Sequence, residues 1–437
     1  MAGHIGEQAS LRVPARRFRG VEGLRALAAG GVLFGHVHAY GGPYGSYDLG
    51  RLEVLARTVG MAGVVLFFTL SGFLLYRPFA AAVLTGSRLP SVRSYLRSRF
   101  LRIFPAYWLA VLVLGVVLGA TYLPAARAEG RSLASDPEAL AANLLLVQGF
   151  FPSTMLTGIG PAWSLAVELV FYLALPLLAL VALALSTLTG AGRRRPWLAA
   201  LAPAGMLLVL GQVGYRLAAS LPRTDGGSWH GSWSAVVTRS FLAQCGLFAA
   251  GLVLAVVHTQ LSRGALVLPA WWRRASGAGA VVLVAPPAYL FDTGRLSENR
   301  ATLMMSIGFA LLLALVVLPD GRSSRVGALL DVRVLQWGGL ISYGVFLWHE
   351  PLIWVLQREG LTQGGRSGFL LALLSTTAVS VVAATVSWRC VERPALALKR
   401  SPPGVEAEAG PGAATGGQVP AQRDADTSGL QGQAPTA

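Results

Sequence analysis

Charge is what this sequence has least of. Only 13% of its 437 residues are Asp, Glu, Lys or Arg, against roughly 25% in a soluble globular domain. There is a single lysine, Lys399. The two cysteines, Cys245 and Cys390, are too few for a disulfide framework and lack the spacing of a structural zinc site. No Gly-rich phosphate loop and no Gly-x-Ser-x-Gly elbow occurs, which argues against P-loop nucleotide chemistry and against an α/β-hydrolase. No cluster of residues has metal-ligand spacing, so no metal is expected.

What the chain has instead is long apolar runs. Hydrophobic residues make up 54% of it, and the mean hydropathy is +0.57. Ten runs are long enough to cross a bilayer, at roughly 23–41, 60–84, 103–124, 164–189, 197–218, 236–258, 277–291, 301–318, 335–357 and 368–388. Open sheets cannot span lipid. The expected fold is therefore all-α, a polytopic membrane bundle of about ten transmembrane helices. The run 277–291 is the weakest, being short and holding Pro286 and Pro287.

The basic residues supply the orientation. With the N-terminus placed in the cytoplasm, the inside segments hold clusters such as Arg16/Arg17/Arg19, Arg97/Arg99/Arg102 and Arg193/Arg194/Arg195. They carry about twice as many basic residues as the outside loops, as positive-inside topology requires. Both termini are thus expected in the cytoplasm and the protein in the cell membrane. The same placement accounts for the net charge of +16 through lipid and topology, and nucleic acid is not an expected partner. Three segments follow: a basic cytoplasmic stretch, 1–20; a membrane domain, 21–398; and a tail, 399–437, rich in Pro, Gly and Ala, expected to be disordered. The outside stretch 125–163 contains "LAANLLLVQGFFP", a candidate short surface helix.

The informative residues are the polar ones inside the spans, because each is expensive there and faces a bundle interior or a wet cavity. In "GLRALAAGGVLFGHVHAY" (23–40), Arg25 and His36 are eleven positions apart. That puts them on one helix face, about 16 Å apart along the axis. His38 points away from His36, so the two cannot chelate one metal from an intact helix. In "GPAWSLAVELVFYLALP", Ser164, Glu168 and Tyr172 form an i, i+4, i+8 stripe. In "ISYGVFLWHEPLIW", Ser342 and His349 share one face and Tyr343 and Glu350 another. In "RSYLRSRFLRIFPAYWL", Arg99 and Arg102 are i, i+3 neighbours suited to clamp phosphates. In "LFFTLSGFLLYRPF", Ser71 and Gly72 read as a close-packing site, since a nucleophilic serine needs a base and this stretch has none.

Together these motifs resemble the bacterial integral-membrane acyltransferase family 3, over about residues 18–398. "GLRALAAGGVLFGH" is similar to its first-helix Arg-to-His motif, "FFTLSGFLLY" to its Ser-Gly-Phe segment, and "GPAWSLAVELVFY" to its Trp-Ser-Leu-x-x-Glu-x-x-Phe-Tyr segment. "ISYGVFLWHEPL" and "VERPAL" resemble the closing helices. "RSRFLRIFPAYW" resembles the arginine-rich entry to the third helix, although Ser98 replaces the first of the usual paired basic residues. The resemblance implies transfer of an acyl group, most often acetyl, from acyl-CoA as co-substrate to a hydroxyl or amine of a sugar, an envelope glycan or a natural product such as a macrolide. No bound cofactor is implied. Carried over, His36 is the catalytic histidine and Glu168 the essential acid, and Arg25, Arg99 and Arg102 serve the donor. Ser71, Trp163, Tyr172 and His349 are candidates to support the site or shape the acceptor pocket. His36 is expected to act as general base, with Glu168 orienting it from the same outer half of the membrane. The fused extracytoplasmic hydrolase domain of some members is not found in this sequence. The competing expectation is a secondary transporter using the buried Arg, His and Glu as a substrate or proton path; another is a glycerolipid-type acyltransferase, whose His-x-x-x-x-Asp signature does not occur here.

Overall fold

The computed structural model describes residues 18–43, 46–50, 52–121, 132–222, 231–319 and 324–399. The predicted basic segment and tail lie outside these, apart from residues 18–20 and Lys399, as does 125–131 of the outer stretch. Ten helices correspond one to one with the ten apolar runs. They are α1 (Val21–Tyr40), α2 (Leu52–Thr85), α3 (Val92–Ala110), α4 (Ala162–Leu188), α5 (Pro196–Ser220), α6 (Gly246–Ser262), α7 (Trp272–Asp292), α8 (Glu298–Val317), α9 (Arg333–Arg358) and α10 (Gly365–Ser387).

Among the described residues, eight of the helical segments are long and apolar enough to cross a membrane. The two that fall short of that mark are α1 and α6. In α1 the apolar run is diluted by Arg25, His36 and His38, the residues that single it out as a site. In α6 the helix is 17 residues long. The weak seventh run is a full crossing of 21 residues with both prolines inside the helix.

The sixth run departs most from expectation. Rather than one helix from 236, it is two short helices, Trp233–Thr238 and Phe241–Gln244, leading into α6. The break frees backbone groups, which in an apolar surrounding must find partners. Gln244 Nε2 donates to the carbonyl of Thr238 at 2.8 Å, and Ser240 Oγ donates to that of Val237 at 2.8 Å. Arg239 sits at the break. The outer stretch also folds: Pro137–Leu144 is a helix capped by Asp136, whose Oδ1 accepts from Ala139 N at 2.9 Å. It is pinned to α3 by Tyr107 and Trp108, which donate to the carbonyls of Asn143 and Leu144 at 2.8 and 2.9 Å.

Small residues set how the helices lie against each other. A Cβ on Gly35 of α1 would stand 2.6 Å from the Cα of Gly60 on α2, so the two backbones touch, as membrane helices do where side chains are absent. Gly31 meets Val59 at the same seam, and Gly63 meets Ala28, so α1 and α2 run antiparallel. Gly72 of α2 faces the carbonyl of Phe248 on α6, and Gly251 faces that of Thr69. The expected close packing at Gly72 is thus present. α9 lies on the other side of α1 and parallel to it, with Gly339 against Glu22 at one end and His349 against His36 at the other.

Candidate active site

Five of these helices enclose a cavity of about 130 Å³. Arg25 comes from α1, Ser71 from α2, Arg99 and Arg102 from α3, Glu168 and Tyr172 from α4, and Tyr343 and Phe346 from α9. Six of the nine sequence-predicted site residues therefore line one space.

Cations dominate it. Arg25 pairs with Glu22 at 3.6 Å. The guanidinium of Arg99 lies 5.9 Å from the centroid of the Tyr172 ring, and that of Arg102 lies 5.8 Å from Tyr343; both are cation–π distances. Ser98, which departs from the family pattern, holds Arg99 in place: its Oγ accepts from Arg99 Nε at 3.2 Å and donates to the Tyr95 carbonyl at 2.8 Å. Arg102 Nη2 is buried with no hydrogen-bond partner among the described residues. A buried guanidinium N–H left without an acceptor is costly, and an anionic ligand group would satisfy it. Just beyond the last helix, the sole lysine responds to this environment. Burial, with Arg99 and Arg102 close by, pulls the Lys399 ammonium down to about 8. The arrangement suits phosphates.

Glu168 is where the structure corrects the sequence reading. Its Oε1 accepts a hydrogen bond from Ser71 Oγ, and it shares the cavity with the three arginines. It is not beside His36. The stretch preceding α4 reaches the histidine's level first, with Gly160 lying against the Glu350 carboxylate. Glu168 follows six residues below Ala162, about 9 Å down the helix. Ser71, for its part, has a carboxylate partner that no stretch around it in sequence supplies.

The histidine lies at the other end. His36 Nδ1 and His349 Nε2 are 2.8 Å apart, their rings nearly parallel at 7° with centroids 5.0 Å apart. His349 is fully buried, and its Nδ1 lies 2.9 Å from the carbonyl of Val345. A carbonyl only accepts, so His349 Nδ1 carries the hydrogen and its Nε2 is the acceptor. His36 Nδ1 must then be the donor, which leaves the lone pair of a neutral His36 on Nε2. One backbone carbonyl thus sets two tautomers in series. The carboxylate beside His36 is Glu350, with Oε2 at 3.9 Å from Nδ1. His38 is buried on a separate face, and neither of its ring nitrogens has a partner among the described residues. Those residues contain no group of three metal-ligating side chains.

Two aromatic rings stand between the ends. Phe346 lines the cavity and has its ring centroid 6.2 Å from that of His349. Phe67 packs edge-on against Phe346 at 6.1 Å. Trp163 also sits at this junction: it meets the cavity residue Phe68 at 6.5 Å and carries the guanidinium of Arg239 5.0 Å above its ring. Sequence reading gave Glu350 a place on a polar face but no site role, and it gave none to Arg239 or Glu392, the last buried near Arg25 and Arg102. Glu350 was visible as a neighbour of His349 in a polar cluster. Arg239 lies inside the apolar run 236–258 with no motif around it, and Glu392 has no signal beyond its place in "VERPAL".

A helical bundle with an arginine-lined cavity near one end of α1 and a hydrogen-bonded histidine at the other fits a membrane-embedded acyltransferase. Residues 18–385 match the model of the acyltransferase domain of family 3, and the chain belongs to that family. Acyltransferase MdmB of Streptomyces mycarofaciens is 26% identical over 400 residues, which span 87% of this chain and 92% of that protein. Protein 2 in the picA locus of Rhizobium radiobacter is 30% identical over 168 residues, 36% of this chain and 80% of its own length. No solved structure matches the chain.

Proposed function

We propose that this protein moves an acyl group, acetyl foremost, from acyl-CoA to a hydroxyl of a sugar, an envelope glycan or a natural product, in the cell membrane. The observation that carries the reading is the chain from the Val345 carbonyl through His349 to His36, set about 16 Å along α1 from Arg25. CoA is an anionic head on a long, slender arm ending in the thioester. Its phosphates suit Arg25, Arg99 and Arg102. Its arm suits the cavity walled by Ser71, Glu168 and Tyr172. The thioester then reaches His36.

The chemistry follows from the tautomers. His36 Nε2 takes the proton of the acceptor hydroxyl as that oxygen attacks the thioester carbonyl. The cationic His36 keeps its bond to His349, and Glu350 offsets the charge. When the tetrahedral intermediate collapses, the C–S bond breaks and His36 returns the proton to the departing thiolate. Family membership favours this enzyme reading over the transporter.

Two expectations separate the ends of the site. Arg102→Ala removes a charge-assisted contact worth about 1.5–3 kcal/mol, so the KM for acyl-CoA should rise roughly ten- to a hundredfold with kcat little changed. An unchanged KM returns Arg102 to a topological role. Glu168→Gln should likewise act through the donor KM, whereas Glu350→Gln should lower kcat. Steady-state kinetics in membranes distinguish the two carboxylates, and the reverse pattern overturns their assignment.

The direct test of function is comparative mass spectrometry of small molecules and envelope glycans from the native host. Cells carrying the wild-type protein are compared with cells carrying His36→Ala at matched membrane levels. Loss of an acyl group from one compound class is the expected result, and it identifies acyl chain and acceptor together. Unchanged acylation, with an altered distribution of a solute across the membrane, is the result that overturns it.

A further inference from the structure

The thioester carbonyl needs a partner that His36 does not supply. As the acceptor oxygen attacks, negative charge builds on the carbonyl oxygen, and the largest catalytic term is usually a preorganised donor aimed at that point. Arg25 is at the wrong end, about 16 Å along α1 from His36, and Arg99 and Arg102 share its cavity. Arg239 is at the right one.

Arg239 ends the short helix Trp233–Thr238, where the sixth apolar run is broken rather than continuous. Its guanidinium lies 5.0 Å from the Trp163 ring. Trp163 in turn touches the cavity wall at Phe68, and three residues before it Gly160 lies against the Glu350 carboxylate, which is 3.9 Å from His36. The guanidinium is close enough to act electrostatically on both His36 and Tyr40, and the Tyr40 ring lies tilted beside His36 with centroids 5.7 Å apart. Glu298 and Tyr215 are also near enough to act on its charge. The cation is therefore held at the junction between the donor cavity and the histidine, by neighbours on several different elements.

We propose that Arg239 is a catalytic residue that holds the developing oxyanion of the thioester carbonyl during acyl transfer. This rests on the reading of His36 as the base. A guanidinium carries five N–H donors in a fixed fork, so it can take up the oxyanion while keeping the neighbours that position it. It donates hydrogen bonds only. The carbonyl oxygen gains charge as the acceptor oxygen bonds to carbon and loses it as the C–S bond breaks, with no proton passing to or from Arg239. The broken sixth run has a purpose in this scheme: a continuous helix would put residue 239 mid-turn, without the loop that lets it sit over Trp163.

The test uses membranes containing the full-length protein and labelled acetyl-CoA as probe, reading label transferred into host extracts. Incorporation by wild type and none by His36→Ala establishes the assay and the underlying reading. If wild type transfers nothing from acetyl-CoA, or His36→Ala transfers normally, that reading fails, and the proposal falls with it for a reason the controls identify. With both controls in place, Arg239→Gln should lose about 10²–10³ in maximal rate with an unchanged half-saturating acetyl-CoA concentration. Arg239→Lys, which keeps one cationic donor, should recover part of it. Binding of desulfo-CoA to both variants, equal to wild type, confirms that the donor site is folded. A wild-type rate in Arg239→Gln overturns the proposal. So does a loss that appears only as weaker acceptor saturation, which would make Arg239 a recognition group for an acceptor anion. Loss of desulfo-CoA binding in both variants also overturns it, in favour of a structural role.

Discussion

His36→Gln is expected to abolish acyl transfer, by a factor on the order of 10²–10⁴, in a protein that still inserts and binds donor. Glutamine is close in size and can hydrogen-bond His349, so the seam of α1 and α9 is kept. It has no basic nitrogen. Arg25 and the cavity are about three turns away on α1, so the KM for acyl-CoA should hold. The check is turnover against acyl-CoA binding in the same membranes. Near-wild-type turnover removes His36 from the chemistry. A collapse of donor binding together with turnover shows instead that the two ends of α1 are not independent.

His349→Leu is the second large effect. His349 does not touch the acceptor in this scheme; it positions His36 by accepting its Nδ1 hydrogen at 2.8 Å. Without that acceptor, His36 is free to carry its hydrogen on Nε2, and the base is then the wrong nitrogen. A wrong tautomer in a comparable hydrogen-bonded chain costs about 10⁴ in kcat; a loss on the order of 10²–10⁴ is expected here, in kcat alone. His349→Gln offers an amide oxygen to the same hydrogen and should recover a measurable part. That rescue separates positioning from packing. Leucine fills the volume at least as well as glutamine, so a merely structural role predicts that Leu is the milder change. Equal loss in both variants, with donor binding intact, would assign His349 a direct role in the proton transfer.

Much of this was legible in the sequence. Ten apolar runs mark ten helices because a span in lipid has to satisfy its own backbone. Arg25 and His36 share a face because eleven residues make three turns. Arg99 and Arg102 lie together for the same reason. What misled was depth across helices. Glu168 was expected beside His36 because both lie in the outer half of their own apolar runs. Gly160, two residues before α4, however, already lies against Glu350 beside His36, so Glu168 stands further along α4, among the arginines. The 236–258 run reads as one apolar helix, and its break has no strong sequence signal: the polar groups that satisfy the freed carbonyls, Ser240 and Gln244, are ordinary residues until they are seen in place.

The sequence by itself determined the class of fold, the membrane as its solvent, the likeness to a family, and the separation of polar groups along any one helix. A rise of 1.5 Å per residue carries that information directly. It did not determine how far one helix slides against the next, since that offset is decided at close contacts such as Gly35 with Gly60, Gly72 with Phe248 and Gly339 with Glu22. Packing between helices produces the pairing of His36 with His349 and Glu350, the capture of Glu168 by Ser71 among the arginines, and the place of Arg239 over Trp163. Each is a meeting of side chains from different helices, and only packing in three dimensions brings them together.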